Sequence, residues 1–301
     1  MKDPILYEKM TGLEAPNFRV LKHELNTFVD DSFNTIAFQP NAKIKTYLEK
    51  FYGLMQAFYN SNLLRINPGK TRLMFISKPK YKIMTKCFSF KANGYDIKPV
   101  PSLKILGSYL SHDLSNEREI SQIIPLLNNR INQLEKLKDH TDFQTRLQFS
   151  NSYIIGRLIY MMPLYTNLNC NQRDRLHKVL MRTARMILNS YCFKKSIEYI
   201  LGKCNWFDIN EMIKLSSIKF INNLLITQKP LGLYSNIKIN DRVSAPISFY
   251  SYPKSSTYKC TLLYKGIAYY NKLPKYLKFL PRKKFQYLVK RERHMLKHLS
   301  V

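Results

Sequence analysis

The chain has 301 residues, 45% of them apolar, which is enough to bury true cores in two or three domains. Its formal charge of +29, from 49 Lys and Arg against 20 Asp and Glu, repels itself unless a polyanion is bound, so nucleic acid is the expected partner. No run approaches the ~18 apolar residues of a membrane span, and the opening MKDPILYEKMTGLEAP lacks the apolar core of a signal peptide. No membrane partner is expected, and the chain reads as intracellular, in nucleus or cytoplasm alike.

The first patterned stretch, NTFVDDSFNTIAF (26–38), reads as strand, tight turn and strand around Asp30 and Asp31, stopped by Pro40. From Ala42 the period becomes helical, with Ile44, Tyr47, Leu48, Phe51, Met55 and Phe58 on one face. Asn67-Pro68-Gly69 then breaks the chain, and RLMFI (72–76) is expected to start another strand. The GKT at 69–71 does not extend into a Walker loop, because position 64, where glycine is required, is Leu64. CFSFKANGYDIKPV predicts a hairpin on Asn93-Gly94, a pair that tolerates positive φ, and LKILGSYL (103–110) reads as strand-like.

Beyond Asp113 the strands give way to helices. Ile120, Ile123, Ile124, Leu127, Ile131, Leu134 and Leu137 form an apolar stripe, with Pro125 as a kink or a late helix start. A second helix is expected over FQTRLQFSNSYIIGRLIYMM, ended by Pro163, and a third over NQRDRLHKVLMRTARMILN. On the third, Arg175, Lys178, Arg182 and Arg185 fall within an arc of about 80°, opposite Leu176, Val179, Leu180, Thr183 and Ile187. The last third is mixed and basic. It holds a helix near FDINEMIKLSSIKFINNLL, an irregular stretch from about Gln228 to Thr257, and a terminal helix RKKFQYLVKRERHMLKHL. The five cysteines, Cys87, Cys170, Cys192, Cys204 and Cys260, are odd in number, scattered and without a C-x-x-C pair, so they read as reduced thiols rather than a zinc site.

Adjacent carboxylates raise each other's pKa unless a cation neutralises them, and a divalent metal would do so. An exposed Asp-Asp turn is the ordinary alternative. Three segments in order weigh on the choice. FVDD (28–31) resembles the x-[AV]-D-D hairpin of non-LTR retrotransposon (LINE-type) reverse transcriptases, LLRINPGKT (63–71) resembles their L-x-I-N-x-x-K-T motif, and LKILGSYL resembles their primer-grip hairpin element V-K-Y-L-G-x-x-L. The helices of 117–189 stand where a thumb is expected. ILGKCNWFDINEMIKLSSIKF and LLYKGIAYYNKLPKYLK resemble segments that follow the polymerase in such elements.

The resemblance implies an α+β chain: a partial polymerase palm of β-hairpins plus helix over 1–112, a helical thumb-like domain over 113–190, and a mixed, mostly helical basic region over 191–301. It implies two-metal nucleotidyl transfer on RNA and DNA template-primer, with Mg²⁺ or Mn²⁺ as cofactor. Asp30 and Asp31 would be metal ligands and catalytic, and Lys70 would meet the leaving pyrophosphate. Leu106 and Gly107 would shape the primer grip, and Arg175, Lys178, Arg182 and Arg185 would track phosphates, unless they form an ordinary solvated helix face. The sequence departs from the family upstream. A third metal-binding aspartate is needed, yet Asp3 is the sole aspartate before Asp30, and its neighbours do not resemble the required strand. The expectation is therefore a truncated polymerase that is inactive alone, with the missing N-terminal part of the polymerase as a further expected partner. The alternatives are a non-catalytic nucleic-acid-binding relic or a fragment with neither role.

Overall fold

A computed structural model describes residues 20–28, 31–38, 43–76, 88–189, 196–240, 247–251 and 255–299 of the chain. Two compact units divide it, Met1–Leu114 and Ser115–Val301. The fold is mixed α+β and rich in helix, and among the described residues every sheet is a two-stranded antiparallel ribbon.

In the first unit, β1 (Val20–Phe28) and β2 (Asp31–Phe38) form the expected hairpin, with Phe28 opposite Asp31 and Leu25 opposite Asn34. Helix α1 (Ile44–Ser61) follows and buries Ile44, Tyr47, Leu48, Phe51, Tyr52 and Met55. The period-two and period-3.6 patterns meet there, because Ile36 and Phe38 of β2 pack on the cluster that α1 makes with Phe90, Ala92 and Ile97. The latter three belong to β3 (Phe90–Ala92) and β4 (Tyr95–Ile97), joined by Asn93 at φ 51° and Gly94 at φ 79°. One reading needs correction. RLMFI is no strand among the described residues, where it makes one parallel bridge, Leu73 to Pro99. Pro99 and Pro101 on the facing segment carry no N–H, so a ladder cannot extend along it. The strand-like LKILGSYL forms a hairpin, β5 (Ser102–Ile105) and β6 (Ser108–Ser111), turning on Leu106 and Gly107.

The second unit opens with α2 (Glu117–Glu135), which runs uninterrupted through Pro125, so the proline neither delays nor ends it. Leu137 lies beyond its end and is exposed, whereas Ile120, Ile123, Leu127 and Ile131 are buried. The predicted second helix is α3 (Phe143–Ser150), a π-turn over Asn151–Ile155 and α4 (Gly156–Met161), followed by a 3₁₀ stretch, Met162–Asn167. Helix α5 (Cys170–Ile187) starts at a capping box in which the Asn169 side chain takes the Gln172 N–H and Gln172 returns to the Asn169 N–H. These helices, with α6 (Ile197–Lys203), enclose one core around Leu158, Tyr165, Leu176 and Leu180.

Helix α7 (Ile209–Thr227) is buried on nearly every side, Glu211, Ser217 and Asn222 included. Its first turns, through Ile213, belong to that core, and from Leu215 onward it builds a second. The irregular stretch after it contains a short helix α8 (Leu231–Tyr234) and a hairpin of β7 (Ile237–Ile239) with β8 (Ile247–Phe249). Helices α9 (Ser256–Lys259) and α10 (Leu262–Asn271) follow. The terminal basic segment is two helices, α11 (Arg282–Arg291) and α12 (Arg293–His298), not one. Glycine permits the closest approach in this core: a Cβ on Gly266 of α10 would meet Ile221 Cγ1 at 2.8 Å and the Ser217 carbonyl at 3.2 Å. Gly266→Ala is expected to lower stability by roughly 1–2 kcal/mol, overpacking outweighing the ~1 kcal/mol of helix propensity gained. A urea midpoint at or above that of the parent chain would disprove it.

Candidate nucleic-acid interface

The hairpin residue Asp31 opens β2 opposite Phe28, which leaves positions 29 and 30 as the connection. Asp30 itself lies outside the described residues. The neighbouring Ser32 hydroxyl is hydrogen-bonded to the Tyr59 hydroxyl, so the base of the turn is tied to the last turn of α1. No group of three His, Cys, Asp or Glu suited to a metal ion occurs among the described residues.

From the end of α1 the chain runs through Leu63, 95% exposed, to a tight polar turn. The Asn67 carbonyl accepts from the N–H groups of Lys70 and Thr71, at 3.1 and 3.0 Å, and from the Thr71 hydroxyl at 2.9 Å. The Arg72 guanidinium donates back to the carbonyls of Gly69 and Thr71. Asparagine and proline therefore fold N-P-G-K-T into a fixed loop, with Lys70 exposed at its end. A shallow cleft of about 250 Å³ lies beside the loop, between Pro68, Thr71 and Arg72 and the β4 residues Tyr95 and Asp96. Further along, Leu106 holds φ 48° and is 44% exposed, with Gly107 at φ 83°. Left-handed backbone costs a leucine roughly 1–2 kcal/mol, so an apolar side chain is displayed at this tip against its conformational preference.

The cation row on α5 is more definite. Leu176, Val179, Leu180, Thr183 and Ile187 are buried, as the helical spacing predicts, and the opposite face turns toward α2. Arg175, Lys178 and Arg182 line one groove of about 250 Å³, floored by Ile124 and Val179 and flanked by Asn128. Arg185 is half-buried and does not line it.

The acidic partners missing from α5 come from α2, 58 and 47 residues away. Arg175 donates to Glu117 at 2.7 Å, and Arg182 donates to Glu135 at 2.8 Å, Asn132 at 2.7 Å and Asn128 at 3.3 Å. Glu117 lies at the start of α2 and Glu135 at its end, so α2 and α5 run in the same direction, with α3 and α4 returning between them. Hydrogen bonds from Gln172 and then Arg175 hold the Glu117 carboxyl below the usual carboxylate range. Its contribution to holding the helices is therefore present above that range and fades as pH falls through the lowered value. It is modest, because Glu117 is mostly exposed. Lys178 is the exposed cation of the groove and makes no ion pair with a described residue.

Guanidinium and ammonium groups along an apolar floor fit a phosphate backbone, with Arg175 and Arg182 braced by their acids and Lys178 available for a counter-charge. Glu117 and Glu135 went unread in the sequence because their partners are remote. Their one signal is position, at the two ends of the long helix that precedes α5 in this unit. No helix among the described residues is long and apolar enough to cross a membrane. No family model matches the chain, and no curated protein matches it.

Proposed function

We propose that the chain is part of an RNA-directed DNA polymerase of the non-LTR retrotransposon type, and that these 301 residues alone hold nucleic acid without extending it. The observation that carries the binding half is the α2–α5 groove, where three cations share an apolar floor in a chain of net charge +29. The polymerase half is supported by order within the first unit: an aspartate hairpin, one helix, the N-P-G-K-T turn, the Asn93-Gly94 hairpin and a third hairpin on Leu106-Gly107. Asp30 and Asp31 would offer carboxylates to Mg²⁺ or Mn²⁺, the metal supplying charge stabilisation at the transferring phosphoryl group when bound. Two neighbouring carboxylates fall short of the fixed cage that tight Mg²⁺ binding needs, so the chain by itself does not complete the site.

Lys178→Glu is expected to weaken binding of an RNA–DNA hybrid, and Asp30→Asn to leave it unchanged. With Mg²⁺ or Mn²⁺ and an RNA template, the chain is expected to add no nucleotides to a primer. Template-dependent synthesis abolished by Asp30→Asn would overturn the inactivity, and binding indifferent to Lys178 would overturn the groove.

A further inference from the structure

The helix formed by α3, the π-turn and α4 carries a second face that the groove does not use. It buries Ile154, Ile155, Leu158 and Met161. Phe149 of α3, Tyr153 of the π-turn, Arg157 and Tyr160 of α4 and Leu164 of the 3₁₀ stretch recur at intervals of three and four residues. Four of these side chains are large and apolar or aromatic, yet 40, 52, 55 and 52% exposed at Phe149, Tyr153, Tyr160 and Leu164. The rings are ordered: Phe149 and Tyr153 stack at 5.9 Å with 20° between planes. The Arg130 guanidinium of α2 lies 6.0 Å from the Tyr153 ring centre and donates to the Tyr153 carbonyl, and Arg157 lies 5.7 Å from the Tyr160 ring. Between Asp142 and Asp174 the sequence has no acidic residue.

From this geometry we infer that the face is a stacking platform for the unpaired bases of single-stranded RNA or DNA. Exposed rings held beside the guanidinium groups of Arg130 and Arg157 present flat π-surfaces in a chain of net charge +29. Unpaired bases have the matching faces and carry the matching negative backbone. A duplex keeps its base faces stacked inside and gains little from the rings, so the platform selects single strands. The inference rests on the reading that the partner is nucleic acid, but not on the α2–α5 groove.

The test is fluorescence anisotropy on the full chain, with oligo(U) and a duplex of equal length as probes. Tyr153→Ala combined with Tyr160→Ala is expected to lower single-strand affinity about tenfold or more, leaving duplex affinity and its dependence on Lys178 unchanged. Tyr153→Trp should retain single-strand binding and show indole quenching on saturation, against a constant background from Trp206, which is 4% exposed and bonded to Asn151. Equal single-strand affinity for the parent and the double-alanine chain, or no quenching in the Tyr153→Trp chain, overturns the platform. If Lys178→Glu still weakens duplex binding in that case, the proposed function stands without it. Unchanged affinity together with loss of self-association in sedimentation would identify the face as a contact between copies and equally overturn the proposal. A parent chain that binds neither probe defeats both readings.

Discussion

Titration of a labelled RNA–DNA hybrid at 50–200 mM salt is expected to give a straight line of falling log affinity against log salt. The slope is expected to become shallower by about one in Lys178→Ala. Each phosphate neutralised releases condensed counterions, so the slope counts cations that meet the backbone. Lys178 is the groove cation that makes no ion pair with a described residue, with Asp174 one turn before it on α5, and should count most. Arg175 and Arg182 already face Glu117 and Glu135, at 2.7 and 2.8 Å, and should count for less. Charge accounting then fixes the sign of a second change. Glu135→Gln removes the acid opposing Arg182 and is expected to raise hybrid affinity several-fold and steepen the slope. At 100 mM salt Lys178→Glu should cost about tenfold or more. Should Glu135→Gln weaken binding as Lys178→Glu does, the groove is only a helix–helix contact, and the net charge acts elsewhere on the surface.

How much of this was legible beforehand differs from element to element for physical reasons. The face of α1 was readable because Tyr47, Leu48, Phe51 and Met55 repeat with the helix. Tyr52 was missed because it widens the stripe by one position without changing its period. Asn93-Gly94 announced its turn, since both residues tolerate positive φ, whereas Leu106-Gly107 makes a turn of the same sense with a leucine that gives no such signal. RLMFI has strand composition, but a strand also needs a neighbour with donors, and Pro99 and Pro101 withhold them. At the candidate interface the row of four cations followed from spacing alone. That three of them share a groove, and that two are braced by α2, depends on how helices some fifty residues apart pack. The aspartate pair was legible as a motif, while its chemistry depends on carboxylates that a two-residue motif does not contain.

The division of the basic C-terminal segment shows the same limit and leads to a second large effect. RKKFQYLVKRERHMLKHL has helix-forming residues throughout, yet the helix breaks at Glu292, where ψ is 43°. The break redirects the chain so that Arg293 reaches Glu211 at 2.9 Å and lies 4.6 Å from the centre of the Phe207 ring. The Glu211 side chain is only 3% exposed and also accepts from the Asp208 N–H at 3.0 Å, closing the capping box of α7. Removing Arg293 takes away the one ion pair that this buried carboxylate makes with a described residue and leaves it only the charges of Lys214 and Lys297, which costs more than the pair contributed. Arg293→Ala is therefore expected to destabilise the second unit by about 3 kcal/mol, a fall of about 6–12 °C in its melting temperature. Glu211→Gln should cost less, about 1–2 kcal/mol, because the amide oxygen can still accept from Asp208 and Arg293, 30% exposed, can turn to water. Combining Glu211→Gln with Arg293→Ala should then be less damaging than Arg293→Ala alone, since no buried charge is left behind. Thermal melts of the two single variants and the pair decide the matter: strictly additive losses would mean that Glu211 is solvated when Arg293 is absent, and that the break at Glu292 has some other cause.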